Sequence, residues 1–224
     1  MTHAIRLQVD DKLHLKDPTS SDLGQQIVEH GILMLDEIGY EAFTFRKLAD
    51  RIGTTEASVY RYFKNKHRML LYLTAWYWSW MEYRLLLVTT NVEPAEMRLR
   101  LALAELTRPI EADPSLPRID EAALYRVVVA ESSKSYLHRG VDDENREGLF
   151  RSYKRLCRAV ADMIAAVNPD YRYPLALVST VMESSHMQKY FAEHLPSLTE
   201  VHHAQAHGST TAFLTELVFL AIAR

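Results

Sequence analysis

The stretch from Phe43 to Lys66 constrains this chain more than any other. It reads F-T-F-R-K-L-A-D-R-I-G-T-T-E-A-S-V-Y-R-Y-F-K-N-K. Thr44 stands where it can cap a helix whose Leu48, Ala49 and Ile52 face inward. Gly53 supplies a tight exit, which often needs positive φ. Thr54 or Thr55 then caps a short helix, with Val59 and Phe63 inward, and Asn65-Lys66 opens a long one. Two short helices broken at a glycine, with a longer helix on either side, outline a helix-turn-helix. That device sets one helix into the major groove of DNA.

Charge supports this reading. The whole chain carries −3, which argues against a protein that coats nucleic acid generally. Between Glu41 and Leu70, however, Arg46, Lys47, Arg51, Arg61, Lys64, Lys66 and Arg68 face only Glu41, Asp50 and Glu56. Seven cations against three anions make that window +4 and leave −7 elsewhere. A basic module on an acidic body docks on phosphates with one face only.

The rest reads as helix almost throughout, so the fold class is all-α. Ser21 or Asp22 caps a first helix with Leu23, Ile27, Met34 or Leu35, and Ile38 in its buried stripe, and Gly39 ends it. Beyond Asn91, helices are predicted from Pro94 to about Pro109 and Arg118 to Leu137; acidic Gly140 to Glu147 is a connection or a helix start, the next helix runs to about Val167, and two more cover Pro174 to His194 and Ser209 to Ala223. The 224 residues allow a domain of roughly 50–70 residues plus a larger one. The division expected is an extension over 1–20, a DNA-binding domain over 21–67 and a helical effector-binding and dimerisation domain over 68–224. In the extension Ile5, Leu7 and Val9, then Leu13 and Leu15, alternate with polar residues. A three-residue turn at Asp10-Asp11-Lys12 keeps them on one face, which predicts a short β-hairpin. A frayed terminus is the alternative.

Met69 to Val88 is apolar apart from Thr74, Ser79, Glu82 and Arg84, near the ~20 residues a bilayer needs. Glu82 and Arg84 would each cost about 2.5–3.5 kcal/mol at mid-bilayer. Trp76, Trp78 and Trp80 lie inside the run rather than at its ends, so a buried helix is expected and no membrane partner. The single cysteine, Cys157, cannot form an internal disulfide, and the first residues lack a basic start followed by an apolar run. A reducing compartment, the cytoplasm, is expected.

Over about Leu23 to Leu73 the chain resembles the TetR/AcrR family of bacterial transcription regulators. The resemblance rests on G-x-x-x-F-T-F-R-K-L-A-x-R-I-G from Gly39 to Gly53, then T-E-A-S-V-Y-R-Y-F-x-N-K from Thr55 to Lys66, followed by Met69, Leu70 and Leu71. Ala57 stands where many relatives have glycine or proline, and Thr54 where valine is usual. The family implies a homodimer with three DNA-binding helices and a helical body. It also implies a small-molecule effector that changes the spacing of the two heads and releases a double-stranded operator. The amino-terminal extension is outside the usual plan.

Glu56, Ala57, Ser58, Arg61 and Tyr62 are the candidate groove-facing residues. Arg61 suits guanine O6 and N7, or a phosphate. Thr44, Arg46 and Lys47 sit at a helix start that favours phosphate. The resemblance gives Tyr60 and Lys66 phosphate contacts; core packing for Tyr60 and a solvated charge for Lys66 are the alternatives. Trp76, Tyr77, Trp80, Tyr83, Tyr125, Met163, Met182 and Met187 are candidates for an effector pocket, against ordinary core. Val178, Val181, Met182 and Ser185, with Leu214, Leu217, Val218 and Ala221, form apolar stripes suited to a four-helix dimer contact or to intrachain core.

His203 and His207 stand four apart beside His202, but no nearby Cys or acidic pair completes a metal site; no metal and no cofactor is expected. There is no glycine-rich phosphate loop, G-x-S-x-G or H-E-x-x-H, and Cys157 near Arg155 and Arg158 lacks an assigned base. An enzyme is therefore not expected. The competing class is a helical small-molecule-binding protein or enzyme without a role on DNA.

Overall fold

The computed structural model describes residues 9–108, 110, 118–201 and 206–223. Among them every regular element is helical: α1 (Asp22–Ala42), α2 (Phe45–Ile52), α3 (Glu56–Tyr60), α4 (Lys66–Thr89), α5 (Ala95–Thr107), α6 (Glu121–Ala130), α7 (Ser132–Tyr136), α8 (Val141–Glu147), α9 (Arg151–Val167), α10 (Pro174–His194) and α11 (Ala206–Ala221). None of the described helices is long and apolar enough to cross a membrane.

Local chemistry sets the helix ends of the amino-terminal third. Ser21 Oγ accepts from Gly24 N, Thr44 Oγ1 from Lys47 N, and Thr55 Oγ1 from Ser58 N, each at 3.2 Å. These bonds satisfy backbone donors that a helix start leaves without intrahelical partners. At Gly39 (φ 71°, ψ 165°) the helical path of α1 breaks, and Gly53 (φ 68°, ψ 36°) ends α2 in the left-handed region that disfavours a side chain.

The predicted hairpin is not what forms over the described part of the extension; Leu7 and the residues before it lie outside that part. Asp11–Leu13 makes a single 3-10 turn, with the Asp10 carboxylate accepting from Lys12 N. A short acidic side chain that caps its own turn competes directly with strand pairing. The alternation fails as well: Leu13 is 1% exposed and Leu15 65%. Instead Leu15 N donates to the Tyr62 carbonyl at 2.7 Å, and a second 3-10 turn, Pro18–Ser20, leads into α1. A Cβ on Gly24 would lie 2.3 Å from the Pro18 carbonyl oxygen, so only glycine lets the extension lie this close to α1.

Packing divides the chain into two compact units, Met1–Trp80 with Ile110–Tyr153, and Met81–Pro109 with Lys154–Arg224. The first holds α1–α3, the start of α4, and α6–α8. Ile27, Ile32, Phe43, Leu48, Val59, Phe63, Met69 and Leu70 make its core. Ile38, expected in that stripe, is exposed, because Gly39 ends the helical path beside it. Arg126 of α6 forms a two-pronged pair with Asp36 of α1 at 2.9 and 2.6 Å. The single helix expected from Arg118 to Leu137 is divided at Glu131, whose backbone leaves helical geometry. Its buried carboxylate accepts from Tyr40 N at 3.0 Å and from neighbouring Lys134 Nζ at 2.6 Å, so the break coincides with a tertiary bond to α1.

In the second unit α5, α10 and α11 pack on one another. Val178, Val181, Met182 and Ser185 of α10, and Leu214 and Val218 of α11, are buried inside the single chain. Of the two alternatives, dimer contact or intrachain core, these six take the second: they are core of the single chain. Only Leu217 and Ala221 of that set are exposed. Both helices carry apolar residues on two sides, and periodicity does not say which side the chain itself covers.

Candidate nucleic-acid interface

The first unit presents a compact surface around α2 and α3. Val59, fully buried, anchors α3. Glu56, Ala57 and Arg61 are exposed, and Ser58 is half-buried with its Oγ 2.9 Å from Thr55 Oγ1. The Tyr60 ring packs edge-on against Phe45, centroids 5.0 Å apart, yet the residue is 47% exposed. Its ring is thus part packing and part surface. Thr44, Arg46 and Lys47 are exposed at the start of α2, where backbone N–H groups and the helix dipole favour an anion. Lys47 Nζ donates to the Ala42 carbonyl at 2.8 Å.

Two expected contact residues are placed differently. Tyr62 lies beyond the end of α3 and is buried. Its hydroxyl sits 2.7 Å from Ser21 Oγ and accepts from Lys16 Nζ at 3.3 Å. The bond with Ser21, aided by Lys16, holds its phenol below the usual tyrosine range. Tyr62 ties the end of α3 to the extension and is not exposed at the surface. Lys66 is directed inward too. Its Nζ donates to the carbonyls of Tyr40, Glu41 and Phe43 at 2.8, 3.4 and 3.3 Å and lies 4.4 Å from the Tyr40 ring centroid. It closes the carboxyl end of α1 rather than reaching for a phosphate.

The other cations of the basic window divide cleanly. Arg51 is held by Glu37 through bonds of 2.6 and 2.9 Å, which raise the arginine's pKa and lower the carboxylate's. Arg68 pairs with Glu147 at 2.9 Å. Arg46, Arg61 and Lys64 have no hydrogen-bond or ion-pair partner among the described residues. Lys64, exposed in the loop after α3, joins the surface although only its charge, and no spacing, marked it in the sequence.

Tyr72, Trp76, Tyr77, Trp78 and Trp80 of α4 are buried, and Tyr83 is half-buried. Trp76 stacks on Trp80 at 6.4 Å, and Tyr77 lies 6.0 Å from Trp80 and 6.1 Å from Tyr125. Those four of the pocket set therefore come together in the first unit. Tyr83, Met163, Met182 and Met187 belong to the second, and Met187 is an exposed residue there. His202 and His203 lie outside the described residues.

A buried anchor, two capped short helices at a left-handed glycine and three unengaged cations define a helix-turn-helix DNA-binding head. Residues 27–73 match the family model described as bacterial regulatory proteins, tetR family, and the head is a TetR-family domain. The solved structures similar to the chain include AibR in complex with isovaleryl coenzyme A and operator DNA (TM-score 0.60, 13% identity, covering 85% of this chain and 98% of that one). Another is described as a TetR-family transcriptional regulator from Rhodococcus sp. (0.61, 12%, 88% and 97%). A third is the superantigen PfiT (0.58, 12%, 92% and 97%). At these identities the likeness shows the fold, which is that of the TetR-type regulators. No curated protein matches the chain in sequence.

Proposed function

We propose that this protein is a transcriptional regulator, most simply a homodimeric repressor that a small-molecule effector releases from a palindromic operator. The observation that carries the reading is the coincidence of the family match over residues 27–73 with exposed Arg46 on α2, Arg61 at the end of α3 and Lys64 in the loop after it. The described fold is shared with AibR, which holds both an acyl coenzyme A and operator DNA, so one such chain can serve two ligands. The fold is also shared with a superantigen; the head's residues, not the fold, support DNA binding here. Footprinting on the DNA upstream of the gene tests this. Protection of a palindrome is the expected result, and no protected duplex at any protein concentration rejects the regulator in favour of a ligand carrier or enzyme.

Arg61→Ala should weaken binding to the operator by about 1–3 kcal/mol while changing binding to random duplex much less, if the guanidinium reads a base edge. Gel shifts on the two duplexes at equal salt measure the difference. An equal loss on both makes Arg61 a phosphate contact.

The homodimer requires a different face from the one predicted. Phe213, Leu217 and Leu220 follow i, i+4, i+7 spacing on α11 and are exposed, as are Met187 and Tyr190 on α10. Leu220 is the most open of these at 69%. Leu220→Asp is expected to weaken self-association by about 2 kcal/mol or more, since the carboxylate would be buried without a partner. Sedimentation velocity across a concentration series reads the effect; an unchanged dimer places the contact elsewhere.

Within the first unit, Trp76, Tyr77, Trp80 and Tyr125, which lie together there, are the residues assigned to an effector site. A ligand screen monitored by tryptophan fluorescence is the corresponding test.

A further inference from the structure

His67, His138 and Glu144 are far apart in sequence but meet in the first unit, each offering one donor atom within 4.8 Å of the others. His67 lies in the first turn of α4, His138 in the loop before α8, and Glu144 in the first turns of α8. Glu144 is buried and bridges the two rings: its Oε1 lies 2.9 Å from His67 Nε2 and its Oε2 3.0 Å from His138 Nε2. The rings stand edge to face with centroids 4.8 Å apart. Both histidines keep about a quarter of their side chains open to solvent, at 25% and 26%, so an ion can enter and retain a water.

We propose that these three side chains form a binding site for a divalent transition ion of the zinc type. Two imidazoles, one carboxylate and a water make a ligand set that suits such an ion, whereas calcium and magnesium prefer oxygen alone. The distances fit replacement of a proton by a metal. Each Nε2–H now donates to the same carboxylate, and an ion between them takes both nitrogen lone pairs and one carboxylate oxygen with only a small opening of the cluster. The Gly140 amide donates to His138 Nδ1 at 3.1 Å, which keeps that ring's proton on Nε2. Ligation through Nε2 moves this proton to Nδ1, so the Gly140 amide turns away. At His67 the Nε2 proton likewise moves to Nδ1 by exchange with solvent, so neither ring changes its charge. The ion thereby ties the start of α4, directly after the DNA-binding helices, to α8.

The test uses the full chain stripped with a chelator and titrated with cobalt(II) or zinc(II) alone. Expected are one ion per chain, the visible ligand-field spectrum of a four- or five-coordinate cobalt site, and its displacement by zinc. His67→Gln and His138→Gln should each weaken binding by more than the about 10–100-fold that loss of a supporting group costs. A His203→Ala, His207→Ala chain should keep the site. In the unaltered chain, zinc should shift the ring nitrogens of His67 and His138 and the Gly140 amide in nitrogen-correlated NMR spectra, a readout independent of whether the variants fold. A spectrum of six-coordinate, water-ligated cobalt, a site lost with His203 and His207, or unshifted His67 and His138 rings overturns the proposal and leaves a metal-free hydrogen-bonded triad.

Discussion

Glu105→Ala is expected to destabilise the protein by about 3–5 kcal/mol, the usual cost of removing one partner from a buried ion pair. In the second unit Glu105 Oε1 accepts from Arg84 Nε at 2.5 Å, and both side chains are almost wholly buried. The second carboxylate oxygen faces Arg108 Nε at 3.1 Å. Alanine would leave the Arg84 guanidinium in a low-dielectric interior without its carboxylate, and water has little access to replace it. Glu105→Gln should cost less, because an amide oxygen still accepts from Arg84. Replacing both by leucine and methionine should cost less again, since neither charge then has to be desolvated. Urea unfolding followed by circular dichroism gives all three values. A loss below about 1 kcal/mol for Glu105→Ala, the range of a surface pair, would mean that the pair is hydrated in solution.

Lys66→Ala separates a structural lysine from a phosphate contact. With three carbonyl oxygens around its ammonium, its loss should destabilise the protein by about 1.5–3 kcal/mol, as for hydrogen bonds to a charged group. The slope of operator affinity against salt should stay unchanged in the folded variant, because no counterion-releasing contact is lost. The family resemblance implies the opposite: a slope lower by about one unit with little change in stability. Thermal melts and gel shifts at several salt concentrations, done on one preparation, decide between them. If the slope falls, Lys66 leaves its carbonyls when DNA arrives.

The contrast between Lys66 and Thr44 shows what was readable in the chain. Thr44 caps α2 as its sequence position predicts, because a cap bonds an amide three residues away and needs nothing else. Lys66 bonds carbonyls 23 to 26 residues earlier, and a lysine after Asn65 gives no sign of that. Tyr62 is similar. Its place in the Tyr-Arg-aromatic-Phe run marks the head, but its direction depends on Ser21 and Lys16, which the extension brings to it. At Asp11–Leu13 no strand forms because the Asp10 carboxylate settles the turn locally, which a period of two in the apolar residues does not reveal. His67, His138 and Glu144 had no spacing motif to betray them, since three separate elements supply them.

The sequence alone determined the helix-turn-helix: Ser21, Thr44, Thr55 and Gly53 act on backbone groups within a few residues of themselves, so their effects survive any change elsewhere. It also determined that α4 is buried from Met69 to Met81, because apolar residues surround the helix there. Tertiary structure alone decided which sides of α10 and α11 the chain keeps for its own core. It likewise decided which cations of the basic window remain open to a partner and which histidines share a carboxylate. Those outcomes depend on surfaces contributed by distant segments, and burial goes to whichever side another element reaches.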